Sequence, residues 1–407
     1  MKVKLGDVCD FINGGAWSEK EYTRSGIPVL KVTNCKSFGF QLDEIDYLPE
    51  SALNKYKKNI LRNDDVIIAT VGSHPNLLES AAGRSYVVND LVSGFLLNQN
   101  AVCVRTKDND ILDQTYLGYF VQNRDFIHFI QNRGKGSANQ MRIAITAIKE
   151  YQFNIPDICK QKAVAKILKV FDRLIVNNQK QIKLLEEAAQ RLYKEWFVDL
   201  RFPGHENTEI ENGMPNTWKT IQAMELCKIT IGKTPPRSES YWFTDKGGIP
   251  WVSISDMNDA VFLFNTKEQL TGEAIKRNSV KVVPRGTILL SFKLTVGRVA
   301  IAEKKMATNE AIAHFYVDDT IREYLFCYLS NFNFDVLGST SSISKAINSK
   351  LVKSMPIVLP DNETLTKFHD KVKSLFLKIE NCQKNIYMLS EARDRLLPKL
   401  MSGEIEV

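Results

Sequence analysis

Apolar residues recur along two stretches of the chain with steps that alternate between four and three. The first series is Val164, Leu168, Phe171, Ile175, Asn178, Ile182, Leu185, Ala189, Leu192 and Trp196. The second is Phe368, Val372, Leu375, Ile379, Cys382, Ile386, Leu389, Arg393, Leu396 and Leu400, each member lying 204 positions beyond its counterpart. A sustained repeat of this kind is the seam of a coiled coil, so the pattern predicts two long helices that pack on each other. At about 1.5 Å per residue, the first would be a rod of roughly 50 Å, able to hold two similar domains at a fixed separation. Asn178 occupies a seam position where an apolar residue would be more stable. A buried polar group there commonly sets register and partner number. Its counterpart is Cys382, so a symmetric Asn–Asn pair is not expected. The plainer alternative is that each helix packs only on its own domain.

The stretches before each helix are patterned alike. Residues 26–34 and 248–256 both alternate apolar and polar positions after a Gly-Ile-Pro turn, which is a strand signal. Residues 63–69 match 284–291, each a polar turn feeding an aliphatic strand, and 98–102 resemble 309–313. The offset drifts from 222 through about 211 to 204, so the halves share strands and differ in loop lengths. Each half reads as a mixed, β-rich domain with short helices such as 115–131 and 320–331. Pro156 and Pro360 precede the long helices, with Asp157 and Asp361 placed to cap their first turns. The expected organisation is a first domain over 1–156, a helix over 157–200 and a connecting loop over 201–216. A second domain over 217–360 and a second helix over 361–403 complete it, in an α+β chain with an internal repeat.

Composition adds bounds rather than a function. The 54 Lys+Arg against 47 Asp+Glu permit a polyanionic partner without requiring one. No stretch approaches 18 consecutive apolar residues and the first residues lack a signal-peptide pattern, so a cytoplasmic protein with no membrane association is expected. The seven cysteines and five histidines are scattered without metal-ligand spacing, so no metal site and no disulfide framework is expected. Residues 231–234 look like the end of a phosphate-binding loop. The glycine needed five residues earlier is Cys227, and Pro235 and Pro236 follow at once, so that match fails. There is no dinucleotide fingerprint, no nucleophile elbow and no Asn/Asp-Pro-Pro-aromatic tetrapeptide. No catalytic residue is assigned, and an enzyme acting alone is not what these residues propose.

Several strings carry a resemblance. Residues 231–236 (Ile-Gly-Lys-Thr-Pro-Pro), then Tyr241-Trp242, then 248–253 (Gly-Ile-Pro-Trp-Val-Ser) resemble the opening of target-recognition domains in type I restriction–modification specificity subunits. Residues 184–199 are similar to that family's central conserved helix end, and 396–405 to its C-terminal signature. The three lie in the family's order and span essentially the whole chain. The first domain departs from the pattern, with residues 12–17 (Ile-Asn-Gly-Gly-Ala-Trp) where a Gly-x-Thr-Pro string would stand.

The resemblance implies two target-recognition domains separated by two long antiparallel coiled-coil helices, related by a pseudo-two-fold repeat. Each domain would read one half of a split site in double-stranded DNA, with the helices setting the unread spacer. Two methyltransferase subunits would dock on the helices, and restriction/translocase subunits would join the full complex. The chain itself would hold no cofactor. S-adenosylmethionine, ATP and Mg would serve the partners, which would carry out adenine methylation and cleavage. A scaffold that uses its coiled coil and β-rich domains to bind other proteins remains the alternative.

Sequence-specific DNA binding combines phosphate contacts with base-edge contacts, so candidate readers are loops mixing basic with amide or hydroxyl side chains. In the first half these are Arg133, Lys135, Ser137, Asn139, Gln140 and Arg142, with Ser73 and His74. In the second they are Lys233, Thr234, Arg237, Lys293, Thr295 and Arg298, with Ser339, Thr340, Ser342 and Lys345. Gly232 and Pro235 read as turn-shaping residues. A plain polar surface loop would show the same composition.

Overall fold

The computed structural model describes residues 2–36, 39–42, 44–72, 82–137, 140–257, 260–337 and 347–407. The chain forms two compact units, Met1–Arg173 with Ser390–Val407, and Leu174–Leu389. Each unit holds one β-rich half together with parts of both long helices.

In the first unit a four-stranded antiparallel sheet runs in the order Cys9–Asn13, Ala101–Thr106, Val66–Ala69, Ser85–Val87. Beside it, Ile27–Leu30 lies between Asp46–Leu48 and the parallel strand Leu96–Leu97. In the second unit Lys228–Ile231, Ile312–Tyr316, Ile288–Ser291 and Val299–Ala302 follow in the same order, with Phe262–Leu263 added at the edge. Ile249–Val252 lies between Glu268–Leu270 and the parallel strand Met306–Thr308. Single hydrogen bonds recur at matching places. Asn98 N–H donates to Leu30 at 3.0 Å, and Asn309 N–H to Val252 at 2.9 Å. The sequence repeat is therefore a repeat of topology. The inner strands Val66–Ala69 and Ile288–Ser291 are fully buried runs, because both faces of the sheet are covered at those positions.

The long helices span Ile158–Tyr193, extended by a π-helical turn over Lys194–Val198, and Asn362–Ser402. Asp157 and Asp361 cap them: their carboxylates accept from the Lys160 and Thr364 N–H groups at 3.0 and 2.8 Å. All twenty seam positions are buried or half-buried. In the first unit Arg393, the charged member of the seam, meets Asp172 at 2.7 Å, and the Tyr119 hydroxyl donates to the same carboxylate. In the second unit the Cys382 thiol lies 3.8 Å from Gln181, and the Phe368 ring packs on Trp196 and Phe197 at 5.7 and 4.9 Å. Early residues of one helix thus meet late residues of the other, so the pairing is antiparallel within each unit. Asn178 satisfies its amide inside its own helix, donating to the Leu174 carbonyl at 2.7 Å.

The expected helix over 115–131 is two helices, Gln114–Phe120 and Arg124–Gln131. Asn123 ends the first run by capping the second, accepting from the Asp125 N–H at 3.2 Å. The side-chain oxygen competes with the helix backbone for its donors, which is why asparagine interrupts a helical pattern.

Phe368 is fully buried where helix, domain and π-turn meet. Phe368→Ala is expected to cost the second unit about 3–5 kcal/mol, read as a lower denaturant midpoint for its unfolding transition. A shift below about 1 kcal/mol would mean that the seam does not support this unit.

Candidate nucleic-acid interface

In the second unit, strand Lys228–Ile231 ends where Gly232 N–H donates to Ile312 at 3.1 Å and Lys233 N–H to Thr308 at 2.9 Å. A Cβ on Gly232 would lie 2.0 Å from Thr308 Oγ1 and 2.1 Å from the Asn309 carbonyl, so only glycine fits. Beneath this crossing lies a buried polar chain. His314 Nε2 meets Thr308 Oγ1 at 2.7 Å, His314 Nδ1 meets Thr230 Oγ1 at 2.9 Å, and the Tyr316 hydroxyl lies 3.2 Å from Thr230. Burial lowers the His314 pKa from 6.5 to about 4, with the charge of Lys281 adding to the effect. The ring is neutral near pH 7. One nitrogen donates and the other accepts, which ties three strands together under the surface.

Above that floor, candidates from separate segments converge on Glu310. The Thr234 hydroxyl donates to its carboxylate. That bond is the main reason the Glu310 pKa is lowered despite partial burial, and the charges of Lys293 and Arg237 act in the same direction. Arg237 is itself engaged. It forms a two-pronged pair with Glu268 at 2.7 and 2.8 Å, and its guanidinium lies 4.2 and 4.7 Å from the Phe243 and Trp251 rings. Arg298 is likewise anchored, donating to the Ile254 carbonyl at 2.8 Å. Lys233 and Lys293 are exposed and, among the described residues, join no ion pair. Thr295 is exposed, and its carbonyl accepts from Ser291 Oγ at 2.6 Å.

The first unit builds the same crossing from different residues. Gly14 N–H donates to Ala101 and Gly15 N–H to Leu97, at 3.0 and 2.7 Å. A Cβ on Gly14 would sit 1.8 Å from the Asn98 carbonyl. Gly15 therefore takes the place of Lys233, Ala16 that of Thr234, and Gln99 that of Glu310. The missing Gly-x-Thr-Pro string is a real loss of side chains on an unchanged backbone path. A cleft of about 240 Å³ opens here, lined by Trp17, Lys31, Thr33, Asn98, Gln99 and Asn100 among others.

The basic candidates of this unit lie elsewhere. Lys135–Ser137 and Gln140–Arg142 form a hairpin that pairs with Val71–Gly72. Lys135 stands opposite Arg142, and Gln140 shares their face, all three exposed, while Met141 points inward and is buried. Two like charges opposed across a hairpin repel each other unless a polyanion lies over them. Arg133 stacks on Phe129 at 3.6 Å and donates to its carbonyl at 3.2 Å. Ser137 pairs through its backbone with Gln140. Ser73, His74, Asn139, Ser339, Thr340, Ser342 and Lys345 lie outside the described residues.

Two residues of this surface were not among the sequence candidates. Glu310 stands in a matched string, but an acidic side chain carries no sequence signal for a polyanionic partner. Leu294 was hidden because an isolated leucine between Lys293 and Thr295 carries no sequence signal.

The family model for the type I restriction modification DNA specificity domain matches residues 1–187 and 215–387. The MjaIX type I restriction enzyme specificity subunit of Methanocaldococcus jannaschii is 29% identical over 360 residues, spanning 81% of this chain and 77% of that protein. The HindI specificity subunit of Haemophilus influenzae is 22% identical over 438 residues, spanning 92% of both. The crystal structure of a type I system S subunit from M. genitalium aligns with a TM-score of 0.58 at 16% identity. That alignment covers 98% of this chain and 95% of that one, a likeness of fold.

The buried histidine gives a pH dependence. The unfolded chain binds a proton on His314 near pH 6.5, whereas the folded chain resists until about pH 4. Stability contributed by the neutral ring is therefore full above pH 6.5 and is lost as pH falls towards 4, on the order of 3 kcal/mol in all. Thermal unfolding between pH 7 and 4.5 should show this limb in the wild type and a shallower one in His314→Gln. Parallel curves would refute the assignment.

Proposed function

The chain belongs to the type I restriction–modification DNA specificity family, and from that premise we propose how it reads a split double-stranded DNA site. It is the non-catalytic specificity subunit, recognising the DNA target for a type I complex. The observation that carries the bipartite reading is the repeat itself. One strand topology occurs twice, with the same glycine crossing, and bears different side chains at equivalent tips: Gly15 against Lys233, and Gln99 against Glu310. Two copies of one scaffold with unlike tips suit two unlike half-sites. The antiparallel seam supplies a stiff element for setting the spacer between them.

In this reading the free lysines and the Lys135–Arg142 hairpin contact phosphates, and polar groups such as Gln140 and Glu310 meet base edges. Two modification subunits and, in the full complex, restriction subunits supply the chemistry in the cytoplasm, with S-adenosylmethionine, ATP and Mg as their cofactors. No helix among the described residues is long and apolar enough to cross a membrane. No observation favours the protein-binding scaffold.

The test is duplex binding by the chain with its modification subunits at several salt concentrations. Affinity for target DNA should fall steeply with salt while preference over scrambled duplex persists. Lys135→Ala and Arg142→Ala should each weaken binding across all sequences and reduce the salt slope by about 1. Unchanged slopes would remove the hairpin from the interface. Binding without salt dependence or sequence preference would reject DNA reading altogether.

A further inference from the structure

Leu294 is 96% exposed, the highest value among the large hydrophobic residues described, and its backbone is left-handed at φ 60°. Both features carry a cost. A left-handed L-residue is disfavoured by roughly 1–2 kcal/mol, and its side chain gains nothing from burial. The surrounding loop is nonetheless tightly held. Ser291 Oγ donates to the Thr295 carbonyl at 2.6 Å, Arg298 N–H donates back to Ser291 Oγ at 3.0 Å, and Gly297 N–H donates to the Ser291 carbonyl at 2.9 Å. Arg298 pins the loop base to Ile254 at 2.8 Å. A firmly built loop that presents an apolar side chain in a strained backbone is pre-organised for contact.

Its neighbours identify the contact. Lys293 and Thr295 flank the leucine and are exposed, and the Lys293 charge reaches Glu310. A lysine suits a phosphate. A carboxylate accepts from the exocyclic amines of cytosine or adenine, which both face the major groove. The apolar feature displayed in that groove is the thymine C5-methyl group.

We propose that Leu294 is a specificity-determining residue of the second domain, packing against a thymine methyl group in the major groove of its half-site. The inference rests on the DNA-reading function above and adds a named base feature to it. It requires the second half-site to contain a T·A pair whose methyl group matters.

The test uses the full chain with its modification subunits and duplexes carrying the motif methylated in host DNA. Thymines are replaced by deoxyuridine one at a time, which removes only the methyl group. One replacement in the second half-site should weaken binding by the wild type about tenfold, and Leu294→Ala should lose a similar factor. In Leu294→Ala that same replacement should cost nothing further, because the two changes remove one contact. Leu294→Gly should lose DNA affinity while raising thermal stability, since glycine accepts the left-handed backbone. Complex assembly with the modification subunits should be unchanged by gel filtration.

Specific binding with no deoxyuridine effect, or with additive losses, would overturn the leucine assignment and leave the DNA-reading function standing. Weakened subunit assembly in Leu294→Ala would overturn it in favour of a protein contact. Absence of any sequence-specific binding by the wild type would instead reject the underlying function.

Discussion

The antiparallel seam between the two long helices is the constraint on which the remaining architecture rests. Its steps of four and three keep one face of each helix turned towards the other, and every seam position is buried or half-buried. The seam also belongs to the domains. Leu168 and Leu400 pack into the core of the first unit, while Trp196, Phe368 and Ile379 pack into that of the second. A helix anchored in this way cannot slide without opening a domain core. The one charged seam residue obeys the same logic, because Arg393 is neutralised by Asp172, which also accepts from Tyr119. An arginine there without that carboxylate would leave a partly buried charge paired only with the more exposed Asp394, at 2.8 Å.

On this base the chain builds one scaffold twice and varies what the scaffold displays. The acidic strand position Asp46 recurs as Glu268, and each is neutralised from a different place: Asp46 by Lys31, and Glu268 by Arg237. Cys103 and His314 occupy equivalent places on the central strand. Burial raises the cysteine to about 12 and lowers the histidine to about 4, so both are neutral at pH 7. The interiors are thus different solutions to the same requirement, a neutral core under a backbone crossing. The exteriors differ in charge, and that difference suits reading two unlike sequences.

Much of this was legible in the sequence, for definite physical reasons. A seam must repeat to stay facing its partner, so Val164 to Trp196 and Phe368 to Leu400 announce themselves. Caps are local, so Asp157 and Asp361 were readable too. Position in space was not readable. Glu310, Thr234, Arg237 and Lys293 meet only through strand pairing between distant segments. Arg237 and Arg298 are candidate DNA contacts in the sequence, and only the fold brings them to their partners, Glu268 and the Ile254 carbonyl. The break between 114–120 and 124–131 was concealed by apolar spacing that continues across Asn123, where a side-chain cap overrides the pattern.

The central proposal is that the seam acts as a ruler that sets the unread spacer between two half-sites. Removing one heptad from each helix, residues 176–182 and the facing 382–388, keeps the seam in phase and shortens the rod by about 10 Å. The direct measurement is the methylated motif produced by that variant with its modification subunits. Both half-sites should remain the same and the unread spacer should shrink by about 3 base pairs, at 3.4 Å per base pair. Unchanged half-sites with an unchanged spacer would contradict the claim.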